Sequence, residues 1–125
     1  MDAHKDLIDF LKGEDVEAIV IGTYGRMNAP EEGEKWSDMH YWDDDDEEVP
    51  LVPFNLRGKV LTLENVKQYM DGWSFNGDYG GVTCYSVHVW TKSRVVFVTC
   101  YDGATWLSSV PRNPCGEMPS CHGGG

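Results

Sequence analysis

The stretch VTCYSVHVWTKSRVVFVTCYDG, residues 82–103, sets two β-branched runs on either side of Lys92-Ser93. That pattern predicts an antiparallel hairpin. A two-residue turn puts Tyr85, Val87, Val89, Val96 and Val98 on one face, and Ser86, His88, Trp90, Val95, Phe97 and Tyr101 on the other. The first face is plain core, whereas the second mixes aromatic and polar groups. The same register sets Cys84 opposite Tyr101 and so predicts no bridge between Cys84 and Cys100.

Working outward, ATWLSSV (residues 104–110) predicts a further short strand that runs into Pro111. The segment SVPRNP (residues 109–114) then holds Arg112 and Asn113 between two prolines that restrict the backbone. Upstream, KVLTLENVKQYMDG predicts a short helix capped by Thr62, with Leu63, Val66, Tyr69 and Met70 as its apolar positions. It is followed by the glycine-dense GWSFNGDYGG, which reads as an aromatic-lined loop with Trp73, Phe75 and Tyr79. At the start of the chain, Leu7, Ile8, Phe10 and Leu11 mark one stripe of an amphipathic helix between Asp2 as N-cap and Gly13 as stop. VEAIVIGTYG then predicts a largely buried strand. Residues 26–56 break this regularity with three prolines and six consecutive acids, Asp43 to Glu48, and read as a surface loop or insertion. The fold expected is a single α+β domain over residues 1–125: an antiparallel sheet with a central hairpin at about 82–101, two short helices and a loose Gly-rich C-terminal tail.

Ten Lys and Arg against twenty-one Asp and Glu give a net charge of -11, which argues against duplex nucleic acid as a ligand because backbone binding relies on basic side chains. No apolar run approaches the ~18 residues of a membrane span, and MDAHKDLIDFLKG lacks the order of a signal peptide. A cytoplasmic protein with reduced thiols at Cys84, Cys100, Cys115 and Cys121 is the expectation.

Several constellations bear on chemistry. Cys115, Cys121 and His122, helped by His40 or His88, are zinc-ligand types, but C-x5-C-H is not a standard spacing and no metal site is expected. The acidic run is the composition of a solvated segment. No G-x-S-x-G, H-E-x-x-H or P-loop pattern occurs, so the chain is expected to be no enzyme and to need no cofactor. What remains is an aromatic and cationic set: Tyr85, Trp90, Lys92, Arg94, Tyr101, Trp106 and the Arg112-Asn113 pair. Stacking on bases and guanidinium forks on phosphates make such a set suited to a small nucleotide. The competing reading is that the aromatics are core or interface and that Arg112 pairs with one of the many acids.

From YMDGWSFNGDYGG through the hairpin to YDGATWLSSVPRNP and the glycine tail, the chain resembles the phage anti-Thoeris sponge family, the first Thoeris anti-defence protein. The resemblance implies a non-enzymatic protein of the host bacterial cytoplasm. It would sequester, intact, the cyclic ADP-ribose isomers (gcADPR) made by TIR-domain enzymes, at sites between protomers of a homo-oligomer, a dimer or a trimer of dimers. Cyclic di- or trinucleotides of CBASS are a further implied ligand class. It also implies that Arg112 and Asn113 supply phosphate and polar contacts, that Tyr85 and the turn at Lys92-Ser93 lie beside the ligand, and that Asp102, Gly103 and Thr105 shape the pocket. Trp90 and Arg94 complete the expected ligand-binding set.

Two other classes of function compete. An acidic inhibitor of DNA-mimic type would present the Asp43–Glu48 surface to a nucleic-acid-binding host protein. A small nucleotide-acting enzyme would work through His88.

Overall fold

The computed structural model describes residues 2–25, 52–77 and 82–123. The expected insertion at 26–56 therefore lies outside the described residues except at its end, and so do Asp43–Glu48, His40, Tyr79 and the last two glycines.

Among the described residues, runs rich in β-branched side chains build one antiparallel sheet of four strands in the order β1-β2-β3-β4. β1 spans Ala18–Tyr24, β2 Tyr85–Trp90, β3 Arg94–Tyr101 and β4 Ala104–Pro111. The β2–β3 hairpin has the expected register, with His88 opposite Phe97, Val89 opposite Val96 and Trp90 opposite Val95. Cys84 and Cys100 are free thiols, as this register requires. Both faces fall as alternation predicts: Tyr85, Val87, Val89 and Val96 are buried, whereas Ser86, His88 and Tyr101 are exposed. No strand position on the outer face, from Ala18 and Val20 through His88 and Phe97 to Trp106 and Val110, carries a carboxylate, lysine or arginine.

Helix α1, Ala3–Leu11, begins where the Asp2 carboxylate accepts from Lys5 N at 3.1 Å, and ends where Lys12 and Gly13 turn left-handed. Its buried face is Ala3, Leu7 and Leu11, a four-residue repeat. Ile8 and Phe10, expected on the apolar stripe, are instead 42% and 37% exposed, because the helix touches the sheet along a narrower line than its four bulky residues suggest. Helix α2, Leu63–Val66, has the expected Thr62 cap, with Asn65 Oδ1 accepting in return from Thr62 N, and runs on as a 3-10 turn over Lys67–Tyr69. Val66 and Met70 are fully buried.

The described aromatics of the glycine-dense segment do not line a loop. Trp73 and Phe75 are core, packed edge to face at 5.0 Å, and Trp73 Nε1 donates to Tyr69 O at 2.8 Å. Aromatic rings carry the largest apolar area per residue, and a sheet covered by two short helices fills its core with them. Val52, inside the span expected as surface loop, is also buried.

The sheet's margins are engaged by non-strand segments. Ile19 and Leu61 exchange backbone hydrogen bonds of 2.9 Å in both directions, and Gly58 N donates to Ile21 O. On the other side Thr105 N donates to Gly77 O at 3.0 Å and Gly77 N to Thr105 O at 3.1 Å. No described helix is long and apolar enough to cross a membrane.

Candidate functional site

The β2–β3 turn is built by Thr91. Its fully buried hydroxyl accepts from Ser93 N at 3.3 Å and Arg94 N at 3.0 Å, a side-chain substitute for a backbone turn, and donates to Glu14 Oε1 at 3.1 Å. Ser93 Oγ donates to the same carboxylate oxygen. The Ser93 hydroxyl above all, helped by Thr91 and the nearby Arg94 charge, holds the Glu14 carboxyl below its ordinary range against the desolvation that opposes it.

Two guanidinium groups flank this turn. Arg94 is anchored on the neighbouring strand, Nε donating to Ser109 Oγ at 2.6 Å and Nη2 to Ser109 O at 3.3 Å. Its Nη1 and Nη2 each reach a different oxygen of Glu117 at 3.0 Å. This two-pronged contact lowers the Glu117 carboxyl's pKa and raises that of Arg94. Arg112 follows β4 directly: its N–H donates to Ser93 O at 2.9 Å, and Nη1 donates to Thr91 O at 2.8 Å and to Glu17 Oε2. The proline-flanked arginine thus closes the hairpin end and pairs with an acid, the simpler of the two roles open to it in the sequence. Asn113 is exposed beside it, and Lys92 is exposed at the turn itself. Trp90, half-buried on the outer face, stands edge to face with His88 at 5.9 Å.

One end of the sheet therefore gathers Trp90, Lys92, Ser93, Arg94, Arg112 and Asn113. Beside it, a cleft of about 460 Å³ opens between the C-terminal turn of α1 and strands β3 and β4. Phe10, Leu11 and Val96 form its apolar wall, and Lys12, Glu14, Arg94 and Ser109 its polar one.

The other expected residues lie elsewhere. Asp102 and Gly103, at φ 51 and 83, form the two-residue turn between Tyr101 and Ala104, at the far end of β3. Seven residue steps of strand separate it from Arg94, about 23 Å at 3.3 Å per residue. Thr105 is buried, and a Cβ at Gly77 would stand 2.8 Å from its Oγ1, so its place is a packed joint and no pocket wall. Its hydroxyl neighbours the buried Cys84 thiol, which burial pushes up to about 11. Tyr85 is fully buried: its ring meets Tyr24 at 5.0 Å and Trp73 at 5.1 Å, and its hydroxyl accepts from Val52 N at 2.9 Å. A core position replaces the ligand-side position expected for it, because its strand parity matches that of Val87 and Val89.

Reading the residues missed Thr91, Glu14, Glu17, Ser109 and Glu117. Only Thr91 carried a local signal, a threonine one residue before a two-residue turn. The C-terminal segment, expected as loose, touches the sheet at several points: Glu117 on Arg94, His122 edge to face with Phe97 at 5.2 Å, and Gly123 beside Cys100 O. Among the described residues no three His, Cys, Asp or Glu side chains converge on a metal position, and the His88 ring packs edge to face on Trp90. Comparison with protein-family models, curated proteins and solved structures finds no match for this chain.

Proposed function

We propose that the protein is a non-catalytic binding protein of the bacterial cytoplasm that captures a small phosphate-bearing nucleotide, of the cyclic ADP-ribose class, at the Lys92–Arg112 end of its sheet. Cyclic di- and trinucleotides are the neighbouring ligand class. The observation that carries the reading is that Lys92, Arg112 and the outward-facing Trp90 ring share one sheet end with Arg94, which lies on the opposite, α1-facing side, in a chain whose net charge is -11. Both guanidinium groups are held by backbone carbonyls as well as by carboxylates, so their direction is fixed before a ligand arrives. Sequestration needs affinity and no lowered barrier, so Trp90 supplies stacking and the cations supply phosphate contacts.

A homo-oligomer fits this reading. The outer face, free of charged side chains at its strand positions, is the surface on which two copies of so acidic a chain approach with least repulsion. An antiparallel face-to-face pair brings the Asp102-Gly103 turn of one copy toward the Lys92–Arg112 end of the other. That arrangement would restore as one site what a single copy holds about 23 Å apart.

Calorimetry with cyclic ADP-ribose isomers and cyclic oligonucleotides tests the reading, with Arg112→Lys alongside Arg112→Ala because Arg112 also closes the hairpin end. Binding in the wild type that falls at least tenfold in Arg112→Ala, with the fold intact by circular dichroism, is the expected outcome. No heat with any of these ligands overturns it. The net charge favours a second reading, an acidic inhibitor of a nucleic-acid-binding host protein. Neutralising Asp43 to Asp46 would abolish activity under that reading and leave nucleotide capture unchanged under the first.

A further inference from the structure

We propose that Arg94 is the anion-binding group of the cleft and that Glu117, on the chain's own C-terminal segment, fills it as a displaceable carboxylate, so that a ligand phosphate enters by exchange with the tail. The inference rests on the nucleotide-capture reading and assigns that site a self-occupied state.

Three observations carry it. First, the guanidinium is positioned without help from Glu117: Ser109 Oγ at 2.6 Å and Ser109 O at 3.3 Å fix it on β4. Second, its two terminal nitrogens present the fork that matches a carboxylate or phosphate, and both prongs are taken by Glu117 at 3.0 Å. Third, the latch is weakly held. The side chains of Arg94 and Glu117 are 30% and 45% exposed, and residues 112–123 are all exposed. Exposed ion pairs are worth little, and this one persists because the tail tethers its carboxylate at high local concentration.

The surroundings suit an incoming anion with an apolar body. Lys12 adds a second cation, and Phe10 and Val96 form an apolar wall. The remaining carboxylate of the cleft, Glu14, is hydrogen-bonded by the hydroxyls of Thr91 and Ser93 and meets Arg94 only through the charge between them. Met118, next to the latch and 85% exposed, reports on the tail.

The test is titration of the full chain with pyrophosphate at low ionic strength, followed by calorimetry and by the methyl resonance of Met118. Saturation should carry that resonance to its position in ligand-free Glu117→Gln. Glu117→Gln should bind pyrophosphate about two- to six-fold more tightly than wild type, the competition expected of an exposed pair. Arg94→Lys, which keeps the charge and loses the fork, should lose both effects. Equal pyrophosphate affinity in wild type and Glu117→Gln, no binding to Glu117→Gln, or full binding to Arg94→Lys overturns the latch. A cyclic ADP-ribose isomer that binds wild type and Glu117→Gln equally overturns the latch and leaves the proposed function standing. Displacement of the tail by pyrophosphate, with no binding of any cyclic nucleotide, upholds the latch and overturns the function.

Discussion

Tyr85→Phe separates a core role from a ligand role at the most fully enclosed of the expected site residues. The substitution keeps the ring, and with it the edge-to-face contacts to Tyr24 and Trp73 and the Arg57 guanidinium 5.4 Å from the ring centre. Only the hydroxyl is lost, and with it the acceptor for the Val52 amide in a place that water does not reach. Leaving a buried donor without its partner costs about 1–3 kcal/mol. The hydroxyl is fully enclosed, which places the loss near the middle of that range, about 2 kcal/mol. For a chain of 125 residues that is a fall in Tm of about 6–10 °C. In urea, monitored by tryptophan fluorescence, the midpoint should fall by about 1 M with an unchanged slope near 2 kcal/mol/M. Nucleotide affinity, measured well below the transition, should not change. An unchanged midpoint combined with lost binding would refute the placement of Tyr85 in the core.

Further expectations concern the sheet and its buried acids. A Cβ at Gly22 would meet Ser86 Oγ at 2.3 Å, where that oxygen accepts from Thr23 N. Gly22→Ala should therefore cost about 1–3 kcal/mol by urea denaturation, and Ser86→Ala in the same chain should recover part of it. Burial pushes the Cys84 thiol up to about 11 and the Tyr24 hydroxyl up to about 12, so both favour their neutral form in the folded chain. Their contribution to stability is complete below pH ~9 and is lost as pH rises through 11 and 12, about 2 kcal/mol each. Denaturation midpoints measured from pH 8 to 12 should fall across that window, and Cys84→Ala should flatten the first part of the slope. Cys84 should resist iodoacetamide at pH 8 while Cys115 and Cys121 react, as counted by mass spectrometry.

The sheet was legible because its signals are local. Period-2 alternation on either side of Lys92-Ser93 sets register and facing together, and one slipped residue would have turned Val87, Val89 and Val96 outward. The helix caps at Asp2 and Thr62 are likewise short-range chemistry. What the residues did not disclose depends on which surfaces meet. Phe10 has the same hydropathy as Phe75, yet one faces solvent and the cleft and the other the core, since α1 lies on the sheet along Ala3, Leu7 and Leu11. The candidate site was half visible: its cations could be named, but their partners could not. Arg112 meets Glu17 across 95 residues and Arg94 meets Glu117 across 23, and with twenty-one acids available no spacing rule chooses among them.

The engaged margins of the sheet have a consequence for how this protein assembles. Along β1 both outward backbone groups of Ile19 are already bonded to Leu61, and the Ile21 carbonyl accepts from Gly58. Along β4 the outward positions run Thr105, Leu107, Ser109 and Pro111. Thr105 is bonded to Gly77, the Ser109 carbonyl accepts from Arg94, and Pro111 has no amide hydrogen to give. A passing extended peptide finds no continuous row of donors and acceptors to extend, so strand addition is hindered at both borders. If copies of the chain pair as proposed, their contacts are left to the faces, and a face that meets its own twin around a two-fold axis uses itself up. On the proposed function, a ligand trap built this way would end as a counted complex and not grow into a fibre.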